Sequence, residues 1–255
     1  MPYPIKIYEY DNGKIKIKYR DVRSERGTMK DLLATGCYFN TLEKFFGNLD
    51  FTGGTMIDIG SNIGVVSVYA AIYKKFSKVL SYEPLPENYR LLIDNIKLNN
   101  VENVVYSFNM AVGDHNGTIK LGYNKVSFVS ASIYMFNPDG TTQKGYPYVA
   151  EVKLIDIKDI IDGVNHIDFL KLDCEGSEYP ILSRITNEDF KKVDNIVTEF
   201  HFKSSTKYFM NSHKVDEMYN FITRFEFLGF KCFIEENQLD IQNVMTATVY
   251  AHKIR

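Results

Sequence analysis

The chain has no tryptophan, and 255 residues hold only three cysteines and seven prolines. Cys37, Cys174 and Cys232 are odd in number, widely spaced and form no CxxC pair, so they read as reduced cytosolic thiols. No apolar run approaches the roughly 20 residues needed to cross a bilayer, which excludes a membrane-spanning helix. The opening MPYPIKIYEYDNGK lacks the basic-then-apolar order of a secretory signal, and a cytoplasmic location is expected. Net charge is also scarce: 30 Lys and Arg against 32 Asp and Glu leave −2. Polyanion binding relies on concentrated Lys and Arg, so no nucleic-acid partner is expected. Tyr and Phe are plentiful, at 18 each, while 45% apolar and 24% charged residues are ordinary for a globular protein. This length supports one substantial core, hence a single domain with decorations.

Two alternating segments around Asp11-Asn12-Gly13 predict an N-terminal β-hairpin. The polar stretch 20–32 reads as a loop, and Leu42, Phe45 and Phe46 as one face of a short helix ending near Gly47. Strands are expected at 55–59, 78–83, 103–109, 167–173 and 195–200. Helices are expected over 65–76, 86–99, 177–184 and 213–228, the last turning Val215, Met218, Tyr219, Ile222 and Phe225 inward. Residues 117–155 read as a β-rich insertion. Helices between strands imply a mostly parallel sheet covered on both faces. Two final strands, joined by residues 237–244 alone, have no room for a crossover helix and must pair antiparallel or lie apart. The expected division is residues 1–50 as a substrate-side decoration, then one α/β domain over 51–255.

In an open α/β sheet, ligands bind beyond the carboxyl ends of the strands. Asp58 ends the first central strand, and Gly60-Ser61-Asn62-Ile63-Gly64 makes the turn into a helix. Aligned on Gly60, a dinucleotide fingerprint would need glycine where Asp58 and Ile63 stand. A carboxylate at 58 opposes a diphosphate and suits a cationic amino-acid end, which points to S-adenosylmethionine. Glu83, followed by Pro84, ends the next strand, where an acid can accept from both ribose hydroxyls. After the third strand, NMAVGD is expected to form a turn that brings Asn109, Met110 and Ala111 to the cofactor, with the apolar residues over the adenine and Asn109 or Asp114 at a polar edge. Asp173, Glu175 and Glu178 crowd three acids around a glycine turn, a pattern of active and metal sites alike. Glu199 and His201 alternate onto one strand face. His201 is suited to remove a hydroxyl proton, with Glu199 orienting its ring. Asp173 is the other candidate base. A divalent cation held by Asp173, Glu199 and His201 is the less favoured route. Tyr134, Phe136, Tyr146 and Tyr148 in the insertion offer rings for stacking a sugar, and the insertion and N-terminal segment are expected to cover the acceptor pocket.

The segments MIDIGSNIGVVSVYAA, SYEPLPENYRLLIDNIKLN, NMAVGD and IDFLKLDCEGSEYPIL resemble the FkbM family of S-adenosylmethionine-dependent methyltransferases, over roughly residues 55–184. The resemblance implies the class I methyltransferase fold, a Rossmann-like seven-stranded sheet in the order 3-2-1-4-5-7-6. It also implies O-methylation of sugars or secondary metabolites. Asp58, Gly60, Asn62 and Gly64 match the family's cofactor turn and Glu83 its ribose acid. Asp173, Glu175, Gly176 and Glu178 match its signature after strand four, with Cys174 where valine is usual. The expected partner is a small-molecule or glycan hydroxyl acceptor, and a homodimer is left open. Two alternatives are an NAD-dependent oxidoreductase, which Asp58 opposes, and a nucleic-acid or protein methyltransferase. The latter commonly carries an Asn/Asp-Pro-Pro-aromatic stretch, absent here.

Overall fold

The computed structural model describes residues 3–125, 127–132, 141–142, 145–204, 207–210, 212–236 and 246–254. Strands β1 (Ile5–Tyr10) and β2 (Ile15–Arg20) pair antiparallel in a separate two-stranded sheet. Asp11, Asn12 and Gly13 all take positive φ in the turn between them, as that tripeptide favours. Helix α1 (Arg23–Ala34) then occupies the stretch expected to be a loop. Its buried face is Glu25, Met29 and Leu33. One of the three spaced positions is acidic, which hid the helical period, and Gly27 weakened it further. The acid is buried because it pairs with Arg20. Helix α2 (Phe39–Phe46) ends as expected at Gly47, with φ +90°.

The main body begins with β3 (Thr55–Ile59), α3 (Val65–Tyr73), β4 (Lys78–Tyr82), α4 (Pro86–Leu98) and β5 (Val105–Phe108). A short β6 (Ala111–Gly113) stands where a turn was expected, because Ala111, Val112 and Gly113 pair in parallel with the insertion. The insertion comprises β7 (Gly117–Asn124), β8 (Ser127–Ser132) and β9 (Tyr148–Asp156), giving a second sheet in the order β6-β9-β7-β8. Next come α5 (Ile157–Asp162), β10 (Phe169–Leu172), α6 (Glu178–Arg184), α7 (Asn187–Phe190) and β11 (Asn195–His201). The short β12 (Lys203–Ser204) and β13 (Lys207–Met210) pair with each other. Helix α8 (Ser212–Phe227), β14 (Phe230–Glu236) and β15 (Thr246–Lys253) complete the elements. Within α8, Met218, Phe221, Ile222 and Phe225 are buried, whereas Tyr219, expected on the inner face, is 50% exposed. The apolar stripe runs one position away from the tyrosine.

The seven-stranded sheet has the order β14-β15-β11-β10-β3-β4-β5. β10, β11, β3, β4 and β5 run parallel, and β15 pairs antiparallel with both β11 and β14. This is the class I methyltransferase order with its C-terminal antiparallel hairpin. Side chains alternate between two cores. Ile57, Leu170 and Ile196 pack with Ile181, Leu182 and Phe225 on one face, and Met56, Phe169 and Val197 pack with Val68, Leu92 and Phe39 on the other. Strand order reverses between β3 and β10, so a crevice opens at their carboxyl ends. Among the described residues, no helix is long and apolar enough to cross a membrane.

Candidate active site

A cavity of about 450 Å³ opens at the carboxyl ends of β3, β4, β10 and β11. Its floor is the turn after β3. Gly60 (φ +78°) and Gly64 (φ +86°) are both left-handed. A Cβ on Gly60 would meet the Asp173 carbonyl oxygen at 1.9 Å, and one on Gly64 would meet Leu92 Cδ1 at 2.5 Å. Only glycine lets this backbone lie so close to the neighbouring strand end and helix. The Gly60 and Ser61 amides donate to the Tyr82 carbonyl, both at 3.0 Å, and Ser61 Oγ donates to the Asp58 carbonyl at 2.8 Å.

Asp58 itself is fully buried and does not line the cavity. Ser67 Oγ donates to its Oδ2 at 2.6 Å, and Lys171 Nζ lies 3.0 Å from its Oδ1. Asp58 and Lys171 are register partners across β3 and β10. Lys171 Nζ also donates to the Gly60 carbonyl at 2.9 Å, and its pKa is raised, the nearby carboxylates of Asp58 and Asp173 outweighing burial. The charge at 58 is therefore compensated on the spot, and the pair braces the turn from beneath. Lys171, absent from the sequence reading, is the buried cation that makes an acid here tolerable.

Glu83 is buried at the cavity wall. Oε2 accepts from the Asn62 amide at 2.9 Å; Oε1 accepts from the Leu85 amide at 2.9 Å and from Asn88 Nδ2 at 3.3 Å. A carboxylate has about four acceptor positions, so Oε2 keeps room for one more donor. Burial raises the pKa of Glu83 to about 7 despite those bonds. Asn62 Oδ1, also in the wall, is buried with no hydrogen-bond partner among the described residues. Asn109 does not line the cavity; its Nδ2 ties the Glu83 and Pro84 carbonyls at 2.9 Å each. Pro84, Met110, Ala111 and Asp114 do line it.

On the far side, Asp173, Glu175, Glu199 and His201 face the same cavity. Tyr38, from the segment before β3, donates its hydroxyl to Asp173 Oδ2 at 3.1 Å. Glu178 is not simply an acid at a helix start. Its Oε1 accepts from the Cys174 and Gly176 amides at 2.9 and 3.2 Å and meets His201 Nδ1 at 3.0 Å. His201 Nε2 lies 3.7 Å from Glu175 Oε2. The ring is thus oriented by Glu178 and not, as expected, by Glu199. Burial alone would lower the His201 pKa, but Glu178, Glu175 and Asp173 overcome it and raise it to about 10. Glu199 goes up as well, through burial and then the Asp173 charge.

Among the described residues, Asp173, Glu199 and His201 do not converge with the spacing of metal ligands; the cluster with that spacing is His166, Asp168 and Asp194. Helix α1 and the insertion close the cavity with Thr28, Met29, Leu32, Ile119, Leu121 and Leu154. Tyr148 lies beside Tyr123 with ring centroids 5.5 Å apart, and neither Tyr146 nor Tyr148 lines the cavity. Tyr134 and Phe136 lie outside the described residues.

The model of the FkbM methyltransferase domain matches residues 58–232. Methyltransferase sdnD of Sordaria araneosa is 25% identical over 168 residues, covering 56% of this chain and 65% of that protein. The chain thus spans just under two thirds of that relative. A methyltransferase FkbM structure from Methylobacillus flagellatus superposes with a TM-score of 0.52 at 16% identity, covering 88% of this chain and 52% of that one. TYW2 of M. jannaschii in complex with AdoMet gives a TM-score of 0.52 at 14% identity, covering 99% and 88%. These likenesses establish the fold. They also correct one expectation: with TYW2 among the chains of this fold, a nucleic-acid partner is plausible, so a net charge of −2 is no ground for excluding one.

Proposed function

Because the chain belongs to the FkbM methyltransferase family, whose fold uses S-adenosylmethionine, we propose that it methylates a hydroxyl of a small molecule or glycan by direct in-line transfer, with Glu199 taking the proton. The cavity suits the cofactor on its own features. The Gly60 turn leaves no side chain in the way, Glu83 can take one more donor, and Asn62 Oδ1 is buried and unpartnered. We assign Glu83, Asn62 and the Gly60–Gly64 turn to holding it, with Met110 and Ala111 beside the base. Asp58 and Asn109 support that wall from behind.

Bound S-adenosylmethionine supplies a methyl group already activated by its sulfonium. What remains for the protein is alignment and removal of one proton. The observation that carries the reading is the contrast between the two residues expected to share the work. His201 is held protonated at neutral pH by Glu178 and Glu175, so it has no lone pair to offer. Glu199 lines the same cavity with its proton affinity raised, which suits a base working near neutrality. His201 then serves as a fixed positive charge that holds the acid cluster together. Tyr38 fixes Asp173, the second acid beside Glu199.

The test is release of S-adenosylhomocysteine over a panel of hydroxylated glycans and metabolites, followed by variants on the best acceptor. Glu199→Gln should lower kcat by about 10²–10⁴ and leave S-adenosylhomocysteine affinity within a few-fold. Wild-type activity should rise with pH across neutrality as Glu199 ionises. A Glu199→Gln enzyme with undiminished kcat removes Glu199 as base and leaves alignment alone.

A further inference from the structure

The segment preceding the family-matched residues enters the cofactor wall through a buried polar chain. Arg20, at the end of β2, donates Nε to Glu25 Oε2 at 2.8 Å, and its backbone amide donates to Glu25 Oε1 at 2.5 Å. Its Nη2 donates to Asn88 Oδ1 at 2.5 Å, and Asn88 Nδ2 donates onward to Glu83 Oε1. Arg20, Glu25, Asn88 and Glu83 are all buried, at 6%, 1%, 2% and 5% exposure. Three of them, Glu25, Asn88 and Glu83, also line the cavity. The four come from β2, α1, α4 and the end of β4, so no single element could set this arrangement.

The chemistry of each link is directional. A guanidinium has donors only, so it fixes the Asn88 amide with its oxygen toward Arg20 and its NH₂ toward Glu83. Turned the other way, the amide would set a carbonyl oxygen against a carboxylate and its NH₂ against a cation. Glu25 balances the charge of Arg20, so the relay passes orientation to Glu83 without adding a net charge beside it. We infer that Arg20 is a positioning residue for the cofactor ribose, acting through Asn88 to hold the Glu83 carboxylate, and that the N-terminal hairpin thereby sets cofactor affinity. This rests on the assignment of Glu83 to the ribose, and the experiment separates the two.

Binding is measured by calorimetry for S-adenosylhomocysteine and for its 2′,3′-dideoxy analogue. In the wild type the hydroxyl-bearing ligand should bind tighter by about tenfold or more, as charge-assisted hydrogen bonds do. The double variant Arg20→Met/Glu25→Leu removes both charges together and leaves neither one stranded. Its preference for the hydroxyl-bearing ligand should collapse toward unity, with the dideoxy analogue binding within about threefold of wild type. A structural loosening would weaken both ligands by the same factor and overturn the relay, as would an unchanged preference. Should the double variant fail to fold, Asn88→Asp keeps a partner for Arg20 but replaces the donor facing Glu83 by an acceptor, and the same collapse is expected. A wild type that binds S-adenosylhomocysteine without preferring its hydroxyls removes Glu83 from the ribose, and one that binds neither ligand overturns the cofactor assignment itself.

Discussion

His201 and Glu178 tie folding stability to pH. The folded histidine holds its proton to about pH 10, against an ordinary value of 6.5. Its contribution is fully present below 6.5 and disappears as pH rises toward 10. Glu178 is buried, which would raise its pKa, but His201 and backbone amides bring it below the ordinary value. Its contribution is present above the usual carboxylate range and is lost as pH falls through the folded value. Removing one partner of such a buried pair costs roughly 3–5 kcal/mol. His201→Gln should therefore unfold more easily than wild type in urea at pH 7, with the gap closing as both approach pH 10. A gap independent of pH would mean the ring is neutral. The acids of this site were legible in DCEGSE, but their pairing was not. Glu178 and His201 lie 23 residues apart, and the sequence offered Glu199 as the nearer partner. Lys171 went unread: a lysine inside an apolar strand needs a buried acid, but only the register of β3 and β10 identifies Asp58 as that acid.

Single turns and helices carry more of the site than their length suggests. Gly60 and Gly53 have the same backbone sign, φ +78° and +79°. A Cβ at Gly53 meets nothing within 4 Å, whereas at Gly60 it would overlap the Asp173 carbonyl. Gly53→Ala should cost only the left-handed penalty of about 1–2 kcal/mol and leave cofactor affinity intact. Gly60→Ala must move the β10 end as well, so it should destabilise by more and abolish S-adenosylhomocysteine binding. Thermal melts and calorimetry on both variants make the comparison, and equal losses would mean the close approach is unimportant. The strands and helices of the central sheet were readable because short apolar strands alternate regularly with amphipathic helices. Helix α1 was not, since its buried stripe passes through Glu25, whose charge is met by Arg20 from β2. Strand β6 escaped for a related reason: three residues become a strand only once β9 arrives to pair with them.

Across the whole molecule, the alternation of elements implied a mostly parallel sheet and the short link before β15 left no space for a crossover, whereas the strand order came from the family resemblance and matches the structure. The distribution of charge did not follow from composition. A chain with a net charge of only −2 gathers Glu25, Glu83, Asp114, Asp173, Glu175 and Glu199 around one cavity, against Lys171, His115 and His201. Glu25 is balanced by Arg20, and Lys171 and His201 are engaged with Asp58 and Glu178, so the remaining acids favour a cationic occupant. Methyl transfer turns the sulfonium into a neutral thioether, so the occupant arrives with one more positive charge than it leaves with. At about 5 Å and an effective dielectric near 20, that difference is worth roughly 3 kcal/mol per acid. The site should then hold S-adenosylmethionine more tightly than S-adenosylhomocysteine, and Glu175→Gln should narrow the gap by weakening the first selectively. Calorimetry on both ligands measures it, and an equal loss for the two would refute it. The acid-rich wall thus acts on turnover: chemistry discharges the ligand, and the same carboxylates that drew it in let the spent form go.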